Sequence, residues 1–113
     1  MTTDKELLEL AAKAAGIVIG LPLSRGGFDN QDGYWNPLTD DGDALRLAVK
    51  LNLKTTYDSL SDGAIVEVSI PWDNEHFDED YHWMEWLNKD PYAATRRAIV
   101  RAAAEIGKEL NDE

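Results

Sequence analysis

A turn signal between two β-forming runs constrains the fold of this chain more than any other feature of its sequence. Residues 54–60 and 64–70 are rich in Thr, Tyr, Val and Ile, and the segment 61–63 between them, Ser-Asp-Gly, is typical of a tight turn. Pro71 ends the second run because it has no N–H to donate to a neighbouring strand. We therefore expect an antiparallel β-hairpin.

The second run of this hairpin alternates between apolar and polar residues. Val66, Val68 and Ile70 occupy one set of alternate positions, and Glu67 and Ser69 lie between them. Because successive side chains of a strand point to opposite faces, the pattern predicts that the apolar residues face the core and the polar residues face away.

The first 19 residues predict a helix followed by a short strand. Thr3 and Glu6 have the spacing of a capping box, which marks a helix start, and Gly16 is a typical residue for a helix end. The apolar face predicted for this helix consists of Leu7, Ala11, Ala14 and Ala15. Residues 17–19, Ile-Val-Ile, have the composition of a buried strand, and a long glycine-rich loop is expected after them.

Two more helices are predicted, one on each side of the hairpin. Thr39 is a suitable N-cap for the first, and Asp90 and Pro91 suit the N-cap and first position of the second. The apolar positions of these helices are Ala44, Leu47, Ala48 and Leu51, and then Thr95, Ile99, Ala102, Ala103, Ile106 and Leu110.

These elements indicate a single α+β domain spanning residues 1–113. The order αβ-αββ-α gives a small, mainly antiparallel sheet of three to four strands packed with three helices in a sandwich-like arrangement. A chain of 113 residues buries roughly 65% of its unfolded surface on folding, which is enough for a core. Tyr34 and Trp35, which follow the glycine-rich loop, are expected in that core.

The amino-acid composition excludes or disfavours several classes of function for this chain. The chain has 22 acidic and 11 basic residues, and its net charge of −11 disfavours direct binding to nucleic acids or anionic membranes. It has no cysteine, which excludes disulfides, thiolate metal sites and cysteine nucleophiles. Residues 1–16 lack the pattern of a signal peptide, and no apolar run is long enough to cross a membrane, so we expect a cytoplasmic protein.

The least regular stretch, residues 72–86, places aromatic residues among six carboxylates and contains no Lys or Arg. One interpretation is that the aromatic side chains pack over an end of the sheet, because large aromatics dominate small cores. The other is a partner-binding surface, because Trp and Tyr anchor many interfaces and an acidic rim attracts a basic partner. The residues assigned to such a surface are Trp72, Phe77, Asp78, Glu79, Asp80, Tyr81, Trp83 and Trp86.

Two segments contain residue types that bind metal ions. His76 and His82 lie among carboxylates, but their spacing matches no metal-site signature, and solvated surface positions are the simpler interpretation. The carboxylates near them are Asp78, Asp80 and Glu85. The segment 40–43, Asp-Asp-Gly-Asp, lacks the ligand spacing of a calcium loop, and capping and the helix dipole explain carboxylates at a helix start. We predict no metal or cofactor.

Signatures of catalysis are absent from the sequence, which has no GxSxG elbow, no GxxxxGK[ST] loop and no GxGxxG after a strand, so no catalytic residue is assigned. Residues 24–27 suit a loop better than a phosphate cradle.

A basic cluster is formed by Arg96, Arg97 and Arg101. One interpretation is a basic patch that contacts a partner. Solvation on a helix surface, with a pair between Arg101 and Glu105, is the favoured interpretation.

Two strings, WNPLTDDGDALRLAVKL at residues 35–51 and AATRRAIVRAAAEIG at residues 93–107, resemble small uncharacterised proteins of bacteriophages and prophages of the phage ABA-sandwich type. The resemblance implies a sheet sandwiched by helices, a phage or prophage origin and expression in the cytoplasm of an infected bacterium. It implies no activity and no site residues. The stretch 72–86 departs from the shared pattern, so a function located there would be specific to this protein.

The favoured hypothesis is a non-enzymatic phage or prophage accessory protein that binds a host or phage macromolecule through the stretch 72–86. In a sharper version, the carboxylates of two segments, 29–43 and 73–85, mimic nucleic acid and compete for the basic groove of a nuclease or other DNA-binding protein. Two alternatives remain open. One is a metal-dependent enzyme or metal-binding protein that uses His76, His82 and the acidic residues around them, and the other is a homo-oligomeric structural module.

Overall fold

The computed structural model describes residues 3–24, 26–30, 33–60, 63–70, 81–87 and 90–111. Its elements in chain order are α1 (Asp4–Ala15), β1 (Phe28–Asn30), β2 (Gly33–Trp35), α2 (Asp41–Lys50), β3 (Lys54–Leu60), β4 (Gly63–Ile70), β5 (Tyr81–Trp86) and α3 (Pro91–Asn111). The predicted α+β class is confirmed, since these helices accompany antiparallel sheets of two and three strands within the described ranges. The order differs from the predicted one in strands β1, β2 and β5, which were not predicted.

The predicted hairpin is confirmed as β3 and β4, which pair antiparallel with Tyr57 opposite Val66. β5 pairs antiparallel with the other edge of β4 and places Glu85 opposite Val66. The sequence did not predict β5, because its residues, Tyr-His-Trp-Met-Glu-Trp, do not alternate cleanly between apolar and polar types.

The predicted strand at residues 17–19 is wrong. The chain is irregular there, and Val18 is 82% exposed. Pairing begins only at Gly20, whose N–H donates to the Asp29 carbonyl oxygen at 2.7 Å, and the Asp29 N–H donates to the Leu21 carbonyl oxygen at 3.0 Å. These bonds, with a bridge between Pro22 and Phe28, pair β1 with residues 20–22. The Ile-Val-Ile run before them pairs with none of the described strands.

A second difference is the short hairpin formed by β1 and β2 in the region predicted to be a loop. Phe28 lies opposite Trp35, and both side chains are buried, which confirms Trp35 as a core residue. Tyr34, also expected in the core, is half-buried. Strands of three residues are too short to show a period of two, so the glycines around them dominate the sequence pattern.

Both predicted ends of α1 and the predicted start of α3 are confirmed. The Thr3 hydroxyl accepts the Glu6 N–H, and the Glu6 carboxylate accepts the Thr3 N–H, which together form the capping box. Gly16 ends α1 in the left-handed conformation, with φ at 70°. The Asp90 carboxylate caps α3, whose first residue is Pro91.

Helix α3 lies at the centre of the packing, between α1 and the strands β4 and β5. Its buried residues are Ala98, Ile99, Val100, Ala102, Ala103, Ala104, Ile106 and Gly107. At Gly107 the helix approaches α1 so closely that an added Cβ would overlap the Leu10 carbonyl group, with 2.7 Å to the carbonyl carbon. A side chain larger than hydrogen does not fit there.

The apolar face of α1 differs from the predicted one. Its buried residues are Leu8, Ala11, Ala12 and Ala15. Leu7 and Ala14, which were expected to be buried, are only half-buried. The face is rotated because α1 turns its small residues toward α3, where the two backbones lie close together.

In β4, Val66, Val68 and Ile70 are fully buried, as the alternation predicted. Glu67 is half-buried, but Ser69, which was expected to face away from the core, is buried as well. Ser69 lies in the central strand, which is flanked by a strand on each side.

None of the helices in the described ranges combines the length and the apolar character that a membrane-spanning segment needs.

Candidate partner-binding surface

The structure describes only part of the predicted partner surface. The predicted site residues that lie outside the described ranges are Trp72, His76, Phe77, Asp78, Glu79 and Asp80. Tyr81, His82 and Trp83 belong to β5, but their side chains also lie outside the described part of the chain. Trp86, the last residue of β5, is the member of the predicted surface whose side chain is described.

β5 separates the two ends of the predicted surface. Tyr81 lies opposite Ile70, whereas Trp86 lies opposite Ile65 at the other end of the strand. Five residue steps along a strand place the two Cα atoms roughly 17 Å apart. The acidic segment 71–80 connects Ile70 to Tyr81 in the chain, and Trp86 lies at the end of β5 opposite Tyr81.

Trp86 lies on the face of the three-stranded sheet that is turned away from α3, which we call the outer face. The inner face is marked by two contacts with α3: the Tyr57 hydroxyl hydrogen-bonds to the Thr95 hydroxyl at 3.0 Å, and Glu85 pairs with Arg101. Because Trp86 directly follows Glu85 in the strand, its side chain points to the outer face.

The Trp86 side chain is a partly exposed aromatic with apolar neighbours. Trp86 is 48% exposed, and its ring lies over Gly63, where an added Cβ would be 3.5 Å from Cζ3 of the ring. Its cross-strand neighbour Ile65 is half-buried. A large aromatic that is held by one edge and open on the other has the properties of an interface anchor.

Gly63 and Ile65 were not assigned to the site from the sequence. The available signal was the alternation of β4, which places Ile65 on the face opposite Val66. That signal identifies the outer face of the hairpin but not the strand that pairs beside it, so the contact with Trp86 was not predictable.

Arg96, from the predicted basic cluster, connects α3 to the start of α2. Its Nη1 donates to Asp41 Oδ1 at 2.7 Å, and its Nε donates to the Leu38 carbonyl oxygen at 2.9 Å. The side chain is 16% exposed, so the prediction of a solvated helix surface is wrong for this residue.

The other two arginines of the cluster also bind across the fold. Arg97 pairs with Asp4 of α1 at 3.2 Å. Arg101 pairs with Glu85 of β5 instead of the predicted partner Glu105, because β5 packs against this side of α3. The cluster therefore links α3 to other elements of the fold.

The segment 40–43 has a structural role at the start of α2. Asp40, rather than the predicted Thr39, is the N-cap, since its Oδ2 accepts the Asp43 N–H at 2.8 Å. The buried Asp43 carboxylate accepts the Asn36 N–H at 2.9 Å and an Arg46 N–H at 2.7 Å. Within the part of the chain that is described, no group of three or more His, Cys, Asp or Glu residues has the geometry to hold a metal ion.

The segments 35–51 and 93–107 contact each other in the fold. Arg96 of the second segment donates to Leu38 and Asp41 of the first. Trp35 and Pro37 of the first segment are buried. The bonds of Arg96 hold α2 and α3 together, so both segments belong to the scaffold and not to the outer face of the sheet.

Comparisons of the chain with models of known protein families, with curated proteins and with solved structures found no match. A function is therefore inferred from the chain's own residues.

Proposed function

We propose that this protein is a non-enzymatic binding protein whose macromolecular partner docks on the outer face of the three-stranded sheet, with Trp86 as the anchor. The supporting observation is the partly exposed Trp86 ring, which lies beside Ile65 and over Gly63 on the face turned away from α3. Burying about 100 Å² more of such a side chain contributes on the order of 2 kcal/mol to binding. A central aromatic anchor of this size suits a specific interface.

The charge of the chain supports a partner with a basic surface. Five of the 22 acidic residues lie in the segment 71–80, which contains no Lys or Arg and joins β5 at Tyr81. The arginines of α3, in contrast, pair with carboxylates of other elements. Excess negative charge along the chain next to β5 steers a basic partner toward this sheet. In the sharper form of the proposal, the carboxylates mimic nucleic acid and occupy the groove of a DNA-binding protein.

The biological setting is proposed from the resemblance of residues 35–51 and 93–107 to phage ABA-sandwich proteins. In this setting the protein is an accessory protein of a phage or prophage that acts in the cytoplasm of an infected bacterium. Because those strings form the scaffold, the outer face of the sheet is free to differ between proteins that share it.

Affinity capture from bacterial lysate tests the proposal when the intact protein is compared with Trp86→Ala and Tyr92→Ala. Tyr92 is a matched control, because it is 69% exposed but lies in the first turn of α3 and not in the sheet. The expected result is a partner that the intact protein and Tyr92→Ala retain and that Trp86→Ala loses. Binding is also expected to weaken steeply with salt.

Equal retention of the partner by both variants would contradict the proposal. A partner whose binding is unaffected by salt, or whose surface is acidic, would contradict the hypothesis of nucleic-acid mimicry. Light scattering at two concentrations identifies a homo-oligomer. Titration with zinc or manganese, monitored by Trp fluorescence, tests the alternative site at His76 and His82.

A further inference from the structure

A cleft of about 550 Å³ lies between the end of α1, the β1 and β2 hairpin, and α2. Its apolar wall includes Ala15, Ile17 and Trp35, and its charged wall includes Arg46 and Lys50. Sites for small ligands commonly have volumes of roughly 300–1,000 Å³ and combine apolar walls with a few polar groups. The lining residues in the described ranges come from outside the three-stranded sheet, so this cleft is separate from the Trp86 surface.

The exposed side of α2 carries a cationic row beside this cleft and an apolar row next to it. Arg46 and Lys50, one helical turn apart, line the cleft. Leu45 and Val49, on the neighbouring row, are 64% and 71% exposed. The Arg46 side chain is itself 73% exposed, so the cationic row lies at the rim of the cleft. Arg46 and Lys50 are therefore accessible to a ligand from solvent, in a chain whose net charge is −11.

Two carboxylates pair with Arg46: Asp40, whose Oδ2 lies 3.9 Å from Nη2, and Asp43, which also lines the cleft. The Oδ2 of Asp43 accepts the Asn36 N–H at 2.9 Å, and its Oδ1 accepts an Arg46 N–H at 2.7 Å. A guanidinium has five N–H donors, so Arg46 keeps donors beyond the one that Asp43 binds. Within the described part of the chain, the Lys50 ammonium has no hydrogen bond or ion pair.

We propose that this cleft binds a small organic anion, a carboxylate or a phosphate monoester with a compact apolar body. The anionic head lies between the Lys50 ammonium and the remaining N–H donors of Arg46, since both side chains bind carboxylates and phosphates through charge-assisted hydrogen bonds. The apolar body covers Ile17 and Val18, because Ala15 and Trp35 are only 3% and 4% exposed. An anion with no apolar body leaves Ile17 and Val18 in water and binds more weakly.

Titration of the ¹⁵N-labelled full chain with four probes tests the proposal by nuclear magnetic resonance. Phenyl phosphate and benzoate are expected to shift the amide signals of Ile17 and Arg46 and the indole N–H signal of Trp35, with saturation. The tighter of the two identifies the head group as phosphate or carboxylate. Inorganic phosphate is expected to bind more weakly, and benzylamine, which joins the same ring to a cation, is expected to give no saturable shift.

Two lysine variants distinguish binding in the cleft from an effect of the overall charge of the protein. Lys50→Gln is expected to weaken binding of the tighter probe roughly tenfold, which is the loss of one charge-assisted contact. Lys54→Gln, which removes an exposed lysine of β3 outside the cleft, is the matched control and is expected to leave binding unchanged. The proposal is overturned by the absence of a saturable shift with either anion, by an equal response to benzylamine, or by equal losses in the two variants. Retained dispersion of the amide signals in both variants shows that they are folded.

Discussion

The inner and outer faces of the three-stranded sheet differ in what covers them. On the inner face, Val66, Val68 and Ile70 are fully buried, and α3 lies against this side. On the outer face, the ring of Trp86 contacts Gly63 at one edge and remains 48% exposed. The comparison indicates that the inner side supplies stability, whereas the outer side keeps about half of the Trp86 surface exposed.

This difference predicts that substitutions on the helical side change the free energy of unfolding, whereas substitutions on the outer face change binding. A substitution on the helical side that leaves the free energy of unfolding unchanged would weaken this contrast. It is also weakened by any outer-face variant that unfolds the protein.

The largest expected effect is that of Gly107→Ala. In an ordinary helix interior, replacing Gly by Ala stabilises the helix by about 1 kcal/mol. Here the new methyl group would overlap the Leu10 carbonyl of α1, so we expect the free energy of unfolding to fall by about 2–3 kcal/mol. Urea unfolding followed by circular dichroism measures the change. Lys108→Ala, at the next and exposed position, is the control with little expected effect, and a stabilised Gly107→Ala would show that α1 and α3 are not in close contact.

A smaller loss, of about 2 kcal/mol, is expected for Arg96→Ala. The change removes two hydrogen bonds of a largely buried guanidinium and leaves the Leu38 carbonyl oxygen without that donor. Arg97→Ala is the comparison, because the Arg97 side chain is 40% exposed and its pair with Asp4 is expected to contribute less than about 1 kcal/mol. Equal losses in urea unfolding would mean that burial does not distinguish the two arginines.

The parts of the fold that the sequence predicted correctly are specified locally. The capping box of Thr3 and Glu6 involves residues three positions apart, and the hairpin of β3 and β4 is specified by its turn and by the alternation of β4. Asp90 and Pro91 likewise define the start of α3 within two positions. Such signals need no knowledge of the rest of the fold.

The parts that were missed depend on contacts between segments distant in sequence. The face of α1 is set by the approach of α3 at Gly107, and the partner of Arg101 is set by the position of β5. For the candidate site, the sequence identified Trp86 as an aromatic in an acidic stretch. It did not predict that β5 places Trp86 and Tyr81 at opposite ends of one strand, because β5 itself has no clear period.

A loss of about 1 kcal/mol is expected for Asp40→Ala at the start of α2. The carboxylate accepts the Asp43 N–H at 2.8 Å, and its removal leaves that N–H without its capping partner. Thr39→Ala, one residue earlier, is expected to cost only a few tenths of a kcal/mol, since Thr39 is not the cap. Thermal unfolding of the two variants under the same conditions measures the difference. A larger loss for Thr39→Ala would assign the cap to the residue that the sequence first suggested.

The smallest expected effect on stability is that of Trp86→Ala, although its effect on binding is expected to be the largest. The ring contributes a cross-strand contact with Ile65 and covers Gly63 at the end of the sheet, so its removal is expected to cost at most about 1 kcal/mol. Urea unfolding of Trp86→Ala, with Tyr92→Ala as the control for loss of an exposed aromatic, gives this value independently of any partner. A loss well above that of Arg96→Ala would show that Trp86 is a core residue of the sheet end. A small loss combined with loss of the captured partner assigns the ring to the interface, because a side chain that contributes little to folding but is required for binding must act on the partner.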